Sequence, residues 1–372
     1  MVHRKIGIVI SVTGTATGIE QLTVEAAGEA YPALNFVTIT GPAHEGDEVL
    51  LNTTAVDLGL GSGGSHFVMA NLSDPLRSAS NAGSPSQGHI MKVRYTPGQV
   101  KVLSVEEPES PHHNDMRTAE NLEGKPVVCC TLHSMLPAAA AGIKAVSNKL
   151  RVVFVMTDGA ALPLQMSRMA AELKDCGALV GTVSSGHSFG GDLEAVNVYS
   201  ALLAAKHVLR ADAAVVSMGP GIVGTPRPYG FTGIEQADII NTVGTLEGKP
   251  VAVPRIAFSD TRERHRGLSH HSLTALGRAS VARALVVLPQ MGPERLSIIL
   301  EQIEHSGISG RHTLVFEDGC PGLELLKDWK INVTTMGRSM NEEREFFLTA
   351  CAGGTTAAKV LLGQPISIFR GG

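Results

Sequence analysis

The spacing of apolar positions along this chain changes once. From Lys5 to about Glu107, short segments alternate apolar and polar residues: Ile6–Val12, Gln21–Ala26, Val49–Asn52, His66–Ala70, Ile90–Tyr95 and Val100–Val105. Gly, Pro, Asn and Asp turns separate them. Period-two alternation predicts half-buried strands, and strands this short and numerous predict a small closed or half-open barrel. Lys92 and Arg94 read as the wet face of one of these strands. The run Gly59–Gly64 reads as a turn cluster rather than a phosphate loop, because no helical pattern follows it. The polar, proline-bearing stretch Glu106–Asp115 marks the end of this domain. The expected division is a barrel over residues 1–107, a solvated linker over 108–124 that contains His112 and His113, and a second domain over 125–372.

Beyond Gly124 the period lengthens. Continuous apolar runs at Val127–Thr131, Val152–Thr157, Leu179–Ser184, Ala213–Met218, Val251–Phe258, Ala284–Leu288, Thr313–Glu317 and Ile331–Thr335 predict strands buried on both sides. Between them, Ala138–Ser147, Leu162–Lys174, Leu193–Leu209, Gly233–Val243, Leu273–Arg283 and Glu294–His305 carry helical spacing, and Glu342–Leu362 closes the series. This alternation predicts an α/β domain: a mostly parallel sheet with helices on both faces, doubly wound and open. An eight-stranded α/β barrel fits the same count and stands as the alternative. Either architecture places a ligand beyond the carboxyl ends of the strands.

Composition narrows the partners. Apolar residues make up 43% of the 372 and charged residues 18%, enough apolar material to fill two cores. Aromatics at 4% and a net charge of −4 argue against nucleic acid, which calls for stacking platforms and basic surfaces. No apolar run approaches the roughly 20 residues that cross a bilayer, so no membrane partner is expected. The five cysteines are odd in number and form no CxxC pair, as expected of reduced thiols in a cytoplasmic protein.

The strand-end loops hold the candidate chemistry. His133-Ser134, His187-Ser188 and His271-Ser272 each precede an Ala-rich or helical stretch, where Ser reads as a helix cap. Gly186-His187-Ser188-Phe189-Gly190 also matches Gly-x-Ser-x-Gly, the nucleophile turn of α/β-hydrolases, with Asp260 and His265, His270 or His271 as triad partners. Asp158, His187, Asp192 and Glu194 are the residues from which a divalent metal site could be assembled, although none of their spacings is diagnostic. Gly219-Pro-Gly221-Ile-Val-Gly224 matches the dinucleotide fingerprint, but Pro226 and Pro228 break the helix that a dinucleotide needs. Its backbone amides still suit an anion, with Arg227 nearby. Arg262, Arg264 and Arg266 with His265, His270 and His271 make a positive loop, read either as a carboxylate or phosphate clamp or as a solvated surface loop or subunit contact of a homo-oligomer.

Five segments resemble a bacterial family described as domain of unknown function family 3866. They are Leu132–Pro137, Val155–Pro163, Gly186–Asn197, Gly219–Gly224 and Arg262–His271, and the likeness covers almost the whole chain. It implies a bacterial cytoplasmic protein and brings no activity, cofactor or assigned site. The leading expectation from the residues is an enzyme for a small anionic metabolite. In it His187, His265 or His270 exchanges protons, and Asp158, Gly219, Gly221, Gly224, Arg227, Arg264 and His271 hold the ligand. A non-catalytic ligand-binding or scaffold protein comes second, and a serine hydrolase using Ser188 third.

Overall fold

The structure, a computed structural model, describes residues 2–16, 18–61, 63–77 and 88–369. The chain forms two compact units, residues 1–103 and 104–372. In the first, β1 (Arg4–Ala16), β2 (Ile19–Ala26), β3 (Glu29–Phe36), β4 (Glu48–Asn52) and β5 (His66–Asn71) form a closed barrel in the order β1-β2-β3-β5-β4. Only the β3–β5 pair is parallel. Alternation directs Val9, Leu22, Val24, Val49, Leu51 and Val68 into the barrel core. β3 escaped the pattern reading because Glu29-Ala-Tyr-Pro-Ala33 buries only its last residue. Of the glycine run, Ser62 lies outside the described residues; the chain beyond it enters β5 and not a helix.

One expectation in this unit is corrected. Ile90–Lys92 pairs with Val100–Val102 as a hairpin apart from the barrel, and Lys92 lies opposite Val100. Cross-strand partners share a face. Val100 is buried, so Lys92 is enclosed on the covered side rather than solvated.

The second unit is built on one open sheet. Its strands are β6 (Pro126–Cys130), β7 (Val152–Thr157), β8 (Gly181–Ser184), β9 (Leu193–Glu194), β10 (Ala213–Met218), β11 (Lys249–Val253), β12 (Leu285–Pro289), β13 (Thr313–Glu317) and β14 (Ser367–Ile368). They lie in the order β9-β8-β7-β10-β6-β11-β12-β13-β14, and only the last pair is antiparallel. The closed eight-stranded alternative is not formed. Successive strand residues feed opposite cores: Val128 and Cys130 pack on one face, Val127 and Cys129 on the other. On the first face lie α1 (Leu136–Val146), α2 (Arg168–Asp175), α7 (Cys320–Asp328) and α8 (Arg344–Leu361). On the second lie α3 (Val198–His207), α4 (Glu235–Thr245), α5 (His270–Thr274) and α6 (Pro293–Ser306). A π-helical turn, Ala275–Ala279, continues α5.

The stretch expected as a solvated linker belongs to this unit. His113 opens a short helix, His113–Arg117, and its Nδ1 lies 2.9 Å from the Glu106 carbonyl. Lys206 donates to the Asn121 carbonyl at 3.0 Å, which fastens the segment to α3.

α1 and α8 meet almost backbone to backbone. A Cβ on Gly142 would stand 2.0 Å from the Cys351 carbonyl oxygen, and one on Gly354 would stand 2.0 Å from that of Ala139. Neither oxygen can rotate away, so Gly142→Ala or Gly354→Ala must push the helices apart. The overpacking outweighs the roughly 1 kcal/mol that alanine gains in a helix. Each variant is expected to lose about 2 kcal/mol, read as a melting temperature lowered by several degrees. Gly310→Ala, where a Cβ meets nothing within 4 Å, is expected to leave the melting temperature unchanged or slightly raised.

Candidate functional site

Strand order locates the site. From β6 the chain crosses to β7 and from β7 to β8, while from β10 it crosses to β11 and from β11 to β12. Connections therefore diverge at two adjacent places, between β7 and β10 and between β6 and β11. Such divergence opens crevices at the carboxyl ends of the strands. The loops that rim them follow β6, β7, β10 and β11, and backbone bonds tie several together. Ala161 donates to the Pro220 carbonyl at 3.0 Å, and Leu164 donates to that of Phe189 at 2.8 Å.

The loop after β7 carries Asp158, whose Oδ2 accepts from the His187 amide at 2.9 Å. Gly186 permits this, since a Cβ there would lie 2.3 Å from the same oxygen. Glu235, in the first turn of α4, accepts a hydrogen bond from the Thr157 hydroxyl. A Cβ on Gly159 would stand 2.2 Å from the other Glu235 oxygen, so that glycine leaves room for it. Glu235 has no cationic partner among the described residues. Burial, and then the charge of Asp158, push its carboxyl up to about 7, against the Thr157 bond that lowers it. Sequence reading missed Glu235, because an acid in a helix's first turn ordinarily just satisfies the dipole.

The loop after β11 is organised by Asp260. Its Oδ2 takes Arg255 at 3.1 Å, Arg262 at 2.8 Å and Arg338 at 3.4 Å, and its Oδ1 accepts from Arg262 Nε at 2.9 Å. Its bonds to Arg262 hold the carboxyl well below the usual range despite burial. Asp260 is thus a structural anchor and not the acid of a triad. Arg255 Nη1 also lies 3.2 Å from His265 Nδ1, and Ser269 Oγ lies 2.9 Å from it. A guanidinium can only donate, so Nδ1 accepts and His265 is neutral. Desolvation and then Arg255 lower its pKa to about 4.

Around His265 stand His270, at 5.0 Å between ring centroids, and His271, at 5.3 Å. Phe231 stacks on His271 at 4.0 Å. Burial, with the neighbouring histidines and arginines adding to it, brings His271 down to about 3, and His270 is lowered as well. A positive surrounding of this kind repels a metal cation and suits an anion.

Beside this cluster lies a cleft of about 800 Å³. Arg264, His270 and Arg278 line it, with Pro226 and Pro228 from the glycine-rich loop and His305 from α6. Neither Arg264 nor Arg278 has a carboxylate partner among the described residues. A second, smaller chamber of about 210 Å³ lies over the ends of β6 and β10, lined by His133, Ser134, Gly219, Gly221 and Ile222 among others. A further cavity of about 970 Å³ lies at the opposite end of the strands, between the carboxyl ends of α1, α2 and α7. There Lys144 Nζ is taken up by the carbonyls of Asn148 and Leu150 at 3.1 and 2.7 Å, so its main buried cation is not open to a ligand.

The structure therefore gathers some expected residues and separates others. Gly224 abuts His271, at 3.4 Å from its Nε2 to an ideal Cβ, and Gly219 abuts Ala161. Arg264 and His270 share the cleft, whereas Arg227 is exposed between the two prolines that line it. The candidate metal set does not assemble. Asp192 pairs with Lys174 and accepts from Thr182 at the start of β8, at the far end from Asp158. Glu194 accepts from Ser184 Oγ and the Gly190 amide, both at 2.6 Å.

The hydrolase turn is also corrected. Ser188 is fully buried, and the chain after it enters β9 and not a helix, so no hydroxyl is presented above the sheet. The three His-Ser pairs are not caps. Ser134 Oγ donates to Thr335 Oγ1 at 3.2 Å, and Ser272 Oγ accepts from the Arg255 amide at 2.8 Å. The cap of α5 is Ser269. Among the described residues, no helix is long and apolar enough to cross a membrane.

A protein family described as "Protein of unknown function (DUF3866)" matches residues 32–354. No curated protein and no solved structure matches.

Glu235 yields a stability test. Its folded-state pKa stands above the unfolded value, so the folded form is favoured while the group is protonated. That stability is complete below about pH 4.5 and is lost as pH rises through about 7. Glu235→Gln keeps an acceptor for Thr157 without the charge. The variant is expected to be more stable than the parent at pH 8, by up to about 3 kcal/mol, with the gain fading toward pH 5. Chemical denaturation at the two pH values checks it.

Proposed function

We propose that this chain, which belongs to the DUF3866 family, is an enzyme that acts on a small anionic metabolite in the cleft beside the β10 and β11 loops. The observation that carries this reading is the sorting of the arginines. Arg255, Arg262 and Arg338 are consumed by Asp260, while Arg264 and Arg278 line the cleft without forming an ion pair among the described residues, even though Glu301 lines it too. Guanidinium groups bind carboxylate and phosphate oxygens through paired donors. A cleft of about 800 Å³ is the size of a metabolite site.

His270 is the proton-transfer group in this reading. Its Nε2 is buried and has no hydrogen-bond partner among the described residues, and its ring borders the cleft. Burial and then Arg264 lower its pKa, so near neutral pH the ring is uncharged and serves as a base. Pro226, Pro228, Leu273 and Ile298 supply the apolar remainder of the lining.

A panel of phosphorylated and carboxylated metabolites, screened by thermal shift and then by calorimetry, tests the proposal. For any ligand found, Arg264→Ala and Arg278→Ala are each expected to weaken binding roughly ten- to a hundredfold, the cost of a charge-assisted hydrogen bond. Arg266→Ala, outside the cleft, is expected to leave binding unchanged. His270→Ala is expected to abolish turnover while binding falls only a fewfold. Ligands indifferent to both cleft arginines would place the site elsewhere.

A further inference from the structure

The small chamber has a chemistry of its own. It sits over the ends of β6 and β10, the two strands that lie between the sheet's two points of divergence. Its walls are Leu132 and His133 from the β6 loop, Gly219–Ile222 from the β10 loop, Met169 of α2, and Thr334–Met336 of the short hairpin that pairs Thr334–Thr335 with Arg338–Ser339 before α8. The side chains are apolar or hydroxyl-bearing, and none is ionised. His133 is the one titratable group there. It is buried beside Ser167 at 2.8 Å, and desolvation lowers its pKa to about 4.

Donors are nevertheless available. The backbone N–H groups of Gly221 and Ile222 donate to nothing among the described residues. Both residues line the chamber, so two successive unpartnered amides stand on its wall. An anion could use them in open solvent. The lining holds no cation, however, so a full charge set against Met169 and Ile222 would give up water for two amides alone, an exchange that costs more than it returns. A neutral carbonyl oxygen meets the donors without that cost.

We propose that this chamber binds a small uncharged carbonyl compound of amide or ester type, whose oxygen accepts from Gly221 and Ile222 and whose short apolar body packs on Met169 and Met336. A volume of about 210 Å³ equals roughly seven water molecules in the liquid, the size of a short acyl group. The site is distinct from the anion cleft. The glycine-rich loop borders both, with Gly219–Ile222 on the chamber and Pro226 and Pro228 on the cleft.

Methionine methyl NMR of the full chain tests this directly, since Met169 and Met336 both line the chamber. The probes are isobutyramide, isobutyrate and isobutylammonium, alike in shape and different in charge. Isobutyramide is expected to move both methyl signals saturably, with a Kd in the millimolar range, as suits a ligand of so few atoms. The two charged analogues are expected to move them far less. Met336→Trp, at an exposed position on the rim, is expected to abolish the response, with Ile222→Trp as the variant from the opposite wall. Arg264→Ala, which tests the anion cleft, is expected to leave the amide response intact, so either site can fail alone. Methyl signals indifferent to the amide, an equal response to a charged analogue, or a response that survives both tryptophan variants overturns the proposal.

Discussion

Everything on one face of the large sheet depends on how closely α1 and α8 approach. Gly142 and Gly354 let each helix rest on a backbone carbonyl of the other, and Gly322 brings α7 against the same point through Cys351. Gly353 extends the contact to Val253 at the end of β11, where a Cβ would stand 2.5 Å from its Cγ2. Interiors tolerate little added volume, so this packing leaves few other positions for the helices. It also sets where α1 begins. His133, Ser134 and the chamber wall emerge from the turn between β6 and α1, so the position of the helix is the position of that wall.

The second constraint is electrostatic. Three arginines around one buried carboxylate would be costly if any partner were lost, but together they satisfy Asp260 almost completely. Arg338 continues the chain of contacts to Glu343 at 2.7 Å, and Ser259 donates to that same glutamate at 2.7 Å. The hairpin before α8, the start of α8 and the β11 loop are thereby bound into one assembly. The cost is borne by the histidines. Arg255 fixes His265 as an acceptor at Nδ1, and burial, reinforced by the accumulated positive charge, keeps its neighbours neutral. What remains for a ligand is the charge that Asp260 does not neutralise, on Arg264 and Arg278.

Much of this was legible in the sequence, because the signals were local. Continuous apolar runs such as Val152–Thr157 bury every residue and became central parallel strands. The strand-end rule then picked out the loops that rim the crevices. The misreadings share a physical cause. β9 is only two residues long and was absorbed into a helical pattern, so a strand-to-helix turn was expected at Ser188 where the chain instead pairs with β8. Ser134 and Ser272 of two His-Ser pairs are used for distant bonds, to Thr335 and to Arg255, that no local pattern encodes. Glu235 and Arg278 look ordinary within their helices. Their significance comes from Thr157 and Gly159 in one case and from the cleft in the other, contacts made across the fold.

The glycine-rich loop shows why a motif can fail its familiar role and still matter. No helix follows Gly224 until Thr232, so the loop cannot cradle a dinucleotide as the fingerprint would. It runs instead from the chamber, past the histidines, to the cleft. At its midpoint Gly224 bridges to Phe231, and a Cβ there would come within 2.8 Å of the Phe231 Cβ and 3.4 Å of His271 Nε2. Its backbone does not need a left-handed conformation, so the requirement is for room and not for freedom. A side chain at 224 would press on the Phe231–His271 stack, and through His271 on the ring of His270, 4.1 Å away. The glycine therefore acts on the cleft at one remove, by letting the loop lie close enough for Phe231 to hold the histidines in place.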